Sequence, residues 1–504
     1  MRKCIISIIG IVVFTLPVFA VWTGTVQDQI ISQDDSLQAW FSRIAIDRHG
    51  GIHVVWNERV NQPPAHQEIH YSRSLDNGRT WLATIQDLVI SCNDEVDAEN
   101  GSSIAVDSQN RIYMVWGERD HSYKEIHYSI SADGGKNWSG RRADRVLSYL
   151  GGPDAFSPQI AIDSNDVVHV VWNQDSQNGI DEIYYARSID RGTTWSSQSQ
   201  ERIISFPDSG LSSYPDMAIG PDNKLVVVWR EPDNVNRSRV VANVSISTNG
   251  GNTWSGTTFD QPVTQSFYTI SDPQVVIDPN GIIHVVWQGT LNEMAPFHYE
   301  IYYSRSTDGG ATWSGMLSNQ RISYWGAGEQ SAFNVNLGID HCGNLIVVWD
   351  EEHNGATNEI HISVSIDAGI SWSGEICDEI ISFPDGMSAY RPFIAAGIDD
   401  TLHVTWNERT TGTSYQIHYS RGDAVGIPVL SAVDHLTISI IGNSAVLQWN
   451  PVPQAIGYKI FSNDNPKFIP APNDLVGYTN FNSWMVPDIR TDHSAVFYRI
   501  KAVK

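Results

Sequence analysis

The chain has 504 residues, 41% apolar and 18% charged, the balance of a folded globular protein and too long for one ordinary domain. Acidic residues outnumber Lys and Arg by 57 to 32, a net charge of -25, so a nucleic acid or an anionic membrane surface is not expected as the partner. The 18 tryptophans are an excess that calls first for a repeat.

Residues 1–20 read as a secretory signal peptide. Arg2 and Lys3 precede an apolar run from Cys4 to Phe19, and Val18-Phe19-Ala20 supplies small residues at a cleavage point. No later segment reaches the roughly 18 apolar residues of a spanning helix. The mature protein is therefore expected outside the cytoplasm, as an extracellular, periplasmic or cell-surface protein with no integral membrane segment. It keeps Cys92, Cys342 and Cys377, an odd set that is no disulfide framework. One repeat holds both Cys342 and Cys377, which makes them the candidate pair.

From residue 44 the chain repeats seven times. An apolar pair, a turn with Asp or Gly and a β-rich run ending in Trp recur at Ile44–Trp56, Ile104–Trp116, Ile160–Trp172, Met217–Trp229, Val275–Trp287, Leu337–Trp349 and Ile394–Trp406. A second pattern, Ser-x-Asp-x-Gly-x-Thr-Trp with variations, follows each of the first six, as at Ser74–Trp81 and Ser306–Trp313, with Asn249 replacing the Asp in Ser247–Trp254. Each unit holds three clear β-runs and a fourth after the second Trp, such as Arg202-Ile-Ile-Ser. Four short strands repeated radially predict a β-propeller. The seventh unit lacks its fourth strand. Trp22–Ser32 matches the missing piece, so the N-terminal strand is expected to close the ring. The box Trp residues are expected to open the fourth strands.

The repeated Ser-x-Asp-x-Gly-x-Thr-Trp resembles the Asp-box, or bacterial neuraminidase repeat, over residues 22–421. Families with this repeat include sialidases, other glycan-acting propellers and sortilin-like receptors. The resemblance implies boxes on the face opposite any active site, and box carboxylates used by their own turns rather than by metal. Neither a metal nor another cofactor is expected. After a linker at 422–428, residues 429–504 resemble a fibronectin type III domain through Ala445-Val-Leu-Gln-Trp-Asn-Pro-Val-Pro, Gly457-Tyr-Lys-Ile and Phe497-Tyr-Arg-Ile-Lys-Ala-Val. Trp449 would be its core Trp and Tyr498 would lie on its penultimate strand, with a last strand missing. The expected whole is all-β: a seven-bladed β-propeller at 21–421, closed by the N-terminal strand, then a small β-sandwich.

In a repeat protein, function is sought where units depart from consensus. His53, His169, His284 and His403 recur before the anchor Trp, and Arg73, Arg187, Arg305 and Arg421 before the box, so both sets read as structural. Loops after second strands lie opposite the boxes. Glu58-Arg59, Glu118-Arg119 and Glu408-Arg409 begin three of them, in blades that the ring makes neighbours, and Arg43, Arg230 and Arg391 fall near the same face. Clustered Arg can bind a carboxylate bidentately, although Glu–Arg bridges between blades would use the same residues. The sialidase resemblance implies an Arg triad, a Tyr nucleophile and an acid. Arg43, Arg59, Arg119, Arg391 and Arg409 would supply the triad, Tyr324 or Tyr390 the nucleophile, and Glu58, Glu118 or Asp154 the acid. Ser42-Arg43-Ile44-Ala45 keeps only the Arg-Ile pair of that family's Phe-Arg-Ile-Pro start. Trp40 and Trp325 stand outside the repeat, in presumed crossover loops, as candidate sugar-stacking platforms. The expected partner is a glycan, a cell-surface polymer or a protein. Three functions stay open, the first two foremost: a monomeric binding protein, or a glycoside hydrolase with its site opposite the boxes. A structural surface-layer role is the third.

Overall fold

The computed structural model describes residues 22–422 except 25–27, 34–36, 61–64, 83–87, 93–95, 121–122, 142–144, 149–151, 177–178, 199–200, 292–297, 324–330, 354–356, 376–378 and 410–413. Beyond these it describes 437–441, 444–450, 457–463, 475–479, 481–486 and 497–503. The signal-peptide segment, most of the linker, Cys377, Tyr324 and Trp325 lie outside the described residues. Two compact units divide the chain, one spanning Val21–Ala424 and the other containing Val425–Lys504.

The first unit is a seven-bladed propeller. Each blade is a four-stranded antiparallel sheet, inner to outer, as in Ala39–Ile46, Ile52–Val60, His66–Ser74 and Leu88–Val89 of blade 1. Second strands read as continuous Val/Ile/Leu runs because neighbouring blades cover both faces; seven successive residues from Ile52 are buried. Their anchor tryptophans, Trp56 through Trp406, are fully buried.

Blade 7 takes its outer strand, Gln29–Ile30, from the N-terminus, paired with Tyr419 and His418. Closure copies the chemistry of the other blades in detail. In blades 1 and 3 an outer-strand serine accepts a third-strand amide (Ile69 N–H to Ser91, Ile183 N–H to Ser205) and donates to a third-strand Glu. In blade 7 Ser32 accepts the Ile417 amide at 3.0 Å and donates to Gln416 at 2.6 Å. The Gly24 amide meets Ser420 Oγ at 2.8 Å, as Gly140 meets Ser129.

The boxes hold the turns between third and outer strands. Ser74 Oγ donates to Asp76 at 2.8 Å, and the Thr80 amide and hydroxyl donate to the same carboxylate at 2.9 and 2.7 Å. The Thr80 bonds hold the Asp76 pKa down to about 2. Gly78 takes φ 77°, and a Cβ there would collide with Tyr419 of blade 7. The box tryptophans do not open the outer strands. A short 3-10 turn such as Ser255–Thr257 follows the Trp, and the outer strand begins only at Gln261.

The recurrent arginines are cross-blade struts, and each recurrent histidine braces a tyrosine that packs on the next blade. His53 Nδ1 meets Tyr71 Oη at 2.7 Å and Nε2 meets Asp47 at 3.2 Å, while the Tyr71 ring packs edge-on against Trp138 of the next blade. Burial pushes His169, His284 and His403 down to about 4, so they are neutral packing groups. Arg305 donates to the Ala368 carbonyl at 2.5 Å, and Arg421 of blade 7 reaches the Asn77 carbonyl of blade 1 at 3.0 Å.

The second unit contains two three-stranded antiparallel sheets. One orders Thr437–Ile441, Ser444–Gln448 and Ser483–Val486; the other orders Leu475–Thr479, Gly457–Asn463 and Phe497–Val503. Trp449 is buried just beyond the second strand, its amide bonded to the Asn482 carbonyl. Tyr498 lies on the last described strand, Phe497–Val503. No helix among the described residues is long and apolar enough to cross a membrane.

Candidate functional site

Every inner strand carries a bulge at one register. Pairing with the second strand slips between Trp40 and Arg43, and at the matching place in all seven blades. At its centre sits a residue with positive φ: Phe41, Gly101, Ser157, Tyr214, Asp272, Asn334 and Arg391, at 60, 105, 50, 54, 47, 52 and 56°. Six of these are not glycine, and each such residue costs of order 1–3 kcal/mol. A bulge re-aims a side chain and is found beside sites. Here the backbone device is constant while the side chain differs in every blade.

The seven bulge residues line an axial cavity of about 450 Å³. Below them Arg43 and Gln159, with Gln274, Asn336 and Phe393, complete the wall. Arg43 stacks 4.8 Å from the Phe393 ring and donates through Nη1 to the Ser42 carbonyl at 3.0 Å, while its buried Nε has no partner. Desolvation lowers the Arg43 pKa to about 10, countered by Asp272. Arg391 lies 4.0 Å over Phe41, and Arg230 lies 4.9 Å over Tyr214. Burial raises the pKa of Asp272, against the pull of Arg230, Arg391 and Arg43.

Two further carboxyls support the wall. Asp216 accepts the Val275 amide of the next blade at 2.8 Å, and burial raises its pKa to about 7. Asp350 accepts the Arg391 amide at 2.9 Å and the Asn334 side chain at 2.8 Å, fixing two bulges at once, with its pKa raised by burial to about 6.

The sequence-derived candidates separate into groups. Arg43 and Arg391 meet in the cavity. Arg59, Arg119 and Arg409 do not line it; they are exposed where second strands end, Arg119 4.0 Å from Asp154 of the next blade and Arg409 5.9 Å over Tyr415. Such an exposed pair contributes little. Glu58, Glu118 and Glu408 are corrected: they do not face the mouth or bridge to the adjacent arginines. Their carboxylates are buried under the anchor tryptophans and accept the indole N–H of Trp56, Trp116 and Trp406 at 2.7, 2.6 and 2.6 Å. Trp40 is also corrected. It lies in an inner strand opposite Asn57, not in a crossover loop, because the bulge lets pairing continue upward past Arg43. Tyr390 holds the equivalent place in blade 7, opposite Asn407, with its ring 6.3 Å from Tyr415. Cys342 is exposed and free.

The bulge ring itself was not anticipated, although the sequence contains its trace. Each bulge residue stands three positions before the apolar residue that opens the repeat. That column reads Phe, Gly, Ser, Tyr, Asp, Asn, Arg amid otherwise similar neighbours.

A family model described as a BNR repeat-containing family member matches residues 154–373. No curated protein matches the sequence. Among solved structures, the chain is similar to a Dyadobacter fermentans protein of unknown function, at 13% identity over 80% of this chain and 100% of that one, with a TM-score of 0.47. It is also similar to a polysaccharide lyase acting on ulvan (12%, 79% and 95%, TM-score 0.49). A third is an α-L-arabinofuranosidase of Fusarium graminearum complexed with arabinobiose (13%, 78% and 96%, TM-score 0.45). The chain is a seven-bladed propeller in which residues 154–373 match a BNR repeat model.

Proposed function

We propose that the protein is a secreted glycan-binding propeller that takes the end or a branch of a glycan into its axial cavity, with the C-terminal fibronectin-like unit as spacer or attachment. The observation that carries this reading is the ring of bulges, which turns six different side chains and Gly101 towards one cavity above Arg43. Its volume lies in the ordinary range for small-ligand sites, about 300–1,000 Å³. The wall offers what a sugar requires: amides and guanidinium groups for hydroxyls, and the rings of Phe41, Tyr214 and Phe393 for its apolar faces. The unpartnered Nε of Arg43 adds a donor suited to a carboxylate, so an acidic sugar is the preferred ligand. Among the described lining residues Asp272 is the one acid. Asp216 and Asp350, which support the wall, are already held by backbone amides.

Hydrolysis is the second reading. It draws on the raised pKa of Asp272, the property of a general acid, and would need a second carboxylate.

The test is binding to an array of neutral and acidic glycans alongside hydrolysis of sialyl and aryl-glycoside substrates. Arg43→Ala and Arg391→Ala are each expected to weaken binding by roughly 30-fold or more, the effect of losing a buried charged contact worth about 2 kcal/mol. Arg59→Ala, Arg119→Ala and Arg409→Ala are expected to bind as wild type. Unchanged binding in the first two variants would overturn the cavity as the site. Turnover abolished by Asp272→Asn would establish the hydrolase reading instead.

A further inference from the structure

The N-terminal strand enters blade 7 over a buried group of three side chains. Asp28 stands immediately before the outer strand, Glu408 near the end of the second strand, and His418 on the third strand opposite Trp406. His418 Nδ1 is 3.7 Å from Asp28 Oδ2 and 3.8 Å from Glu408 Oε2, and the three side chains are only 9, 6 and 2% exposed. Neither ring nitrogen of His418 has a hydrogen-bond partner. One donor atom from each residue lies within 4.8 Å of the other two. Among the described residues no Lys or Arg pairs with either carboxylate.

Blade 4 repeats the plan. Asp260 stands immediately before its outer strand, Glu231 is two residues past Trp229, and Asp208 of the incoming crossover completes a second group within 4.8 Å. The crossovers match as well. The Phe206 amide donates to Asp260 at 3.3 Å, and the Phe383 amide donates to Asp28 at 3.1 Å. Glu231 Oε1 is buried without a partner. Asn243 replaces the histidine, in register with Trp229 as His418 is with Trp406.

We propose that Asp28, Glu408 and His418 bind a divalent cation that fastens the N-terminal strand to blade 7. Two carboxylates and an imidazole suit Zn²⁺, a borderline ion, and next the harder Mn²⁺, better than Ca²⁺ or Mg²⁺, which prefer all-oxygen sites. Donors about 2.1 Å from a tetrahedral ion stand roughly 3.4 Å apart, close to the spacing of the His418 nitrogen from the two carboxylates. The ion would supply the positive charge that the cluster lacks, and would tie two chain segments that no covalent bond joins. The competing arrangement is a proton shared between the Asp28 and Glu408 carboxyls, which lie within hydrogen-bond reach of each other.

Asp28→Asn separates the two, because an amide imitates a protonated carboxyl and folds under either arrangement. The full chain, freed of metal by a chelator, is titrated with Zn²⁺, Mn²⁺ and Ca²⁺ while heat release, thermal midpoint and amide exchange at residues 29–32 are followed. Wild type is expected to bind Zn²⁺ or Mn²⁺ with one equivalent more than Asp28→Asn, to gain several degrees, and to slow exchange in that strand. Asp28→Asn and His418→Ala are expected to lose that equivalent, with affinity down at least tenfold, while Asp260→Asn in blade 4 keeps it. Equal stoichiometry and equal midpoint shifts in wild type and Asp28→Asn, or strand exchange indifferent to metal, would overturn the proposal.

Discussion

Glu182 lies on the third strand of blade 3, buried, with its carboxyl accepting the Ser205 hydroxyl at 2.6 Å. Burial raises its pKa to about 8, while an unfolded Glu titrates near about 4.3. The folded state therefore holds a proton that the unfolded state releases, and this contribution to stability is lost as pH rises towards 8. Between about pH 6.5 and 8 the unfolded chain still sheds imidazole protons that buried His169, His284 and His403 do not hold, a slope of opposite sign that is the same in wild type and in a Glu182 variant. Glu182→Gln is expected to flatten the fall in thermal midpoint over that window, removing up to about 1 kcal/mol per pH unit. Blade 7 already carries Gln416 at this position, bonded to Ser32 at 2.6 Å, so the amide fits. Calorimetric midpoints at matched ionic strength would check it; parallel curves for wild type and variant would refute it. Residue roles were legible where the repeat exposed them. His53 and Arg73 recur with the fold and serve the fold. Glu58 misled for a physical reason: its strand is buried on both faces, so alternation gives no sign that its carboxylate turns to the Trp56 indole rather than to solvent.

At the level of elements, the repeat and its four strands followed from apolar runs, turn residues and the recurring tryptophans, and the closing strand from the match of Trp22–Ser32 to the stretch after each box. Bulges did not, because one extra residue leaves the period-two pattern intact on both sides and only shifts its phase. The inner strands thus reached four to six residues further than the apolar pairs suggested, carrying Trp40 and Tyr390 into paired positions. Trp22 tests the closing strand directly. It is 1% exposed and bridges to Gly422, so Trp22→Ala is expected to cost roughly 3–5 kcal/mol. A lowered denaturation midpoint, with early proteolysis near residue 30, would confirm that the ring opens at this seam. Loss of stability without N-terminal cleavage would place the weak point elsewhere.

Across the whole molecule the net charge of -25 sets a self-repulsion that folding must overcome. Raising ionic strength from about 0.01 to 0.15 M shortens the screening length from roughly 30 to 8 Å, less than the span of the ring. The thermal midpoint is expected to rise over that range, and a midpoint that falls would mean that ion pairs outweigh repulsion. Within this acidic body Arg43 and Arg391 form a small basic interior. Composition argued against a polyanionic partner but could not reveal that two of the 32 cations had been brought to the axis.

The seam in blade 7 also orders events in time. Ser32 and Gln416 are 384 residues apart, whereas strands within the other blades are joined by short turns. Blades 1 to 6 can each form as soon as their own residues exist, but the seventh must wait, and until then residues 22–32 stay unpaired beside an open ring. Contacts of such high sequence separation form late and slowly. The closing step is therefore expected to set the folding rate, and an unclosed ring offers two complementary edges, one on the free strand and one on Tyr415–Gly422, through which two chains could exchange strands and dimerise.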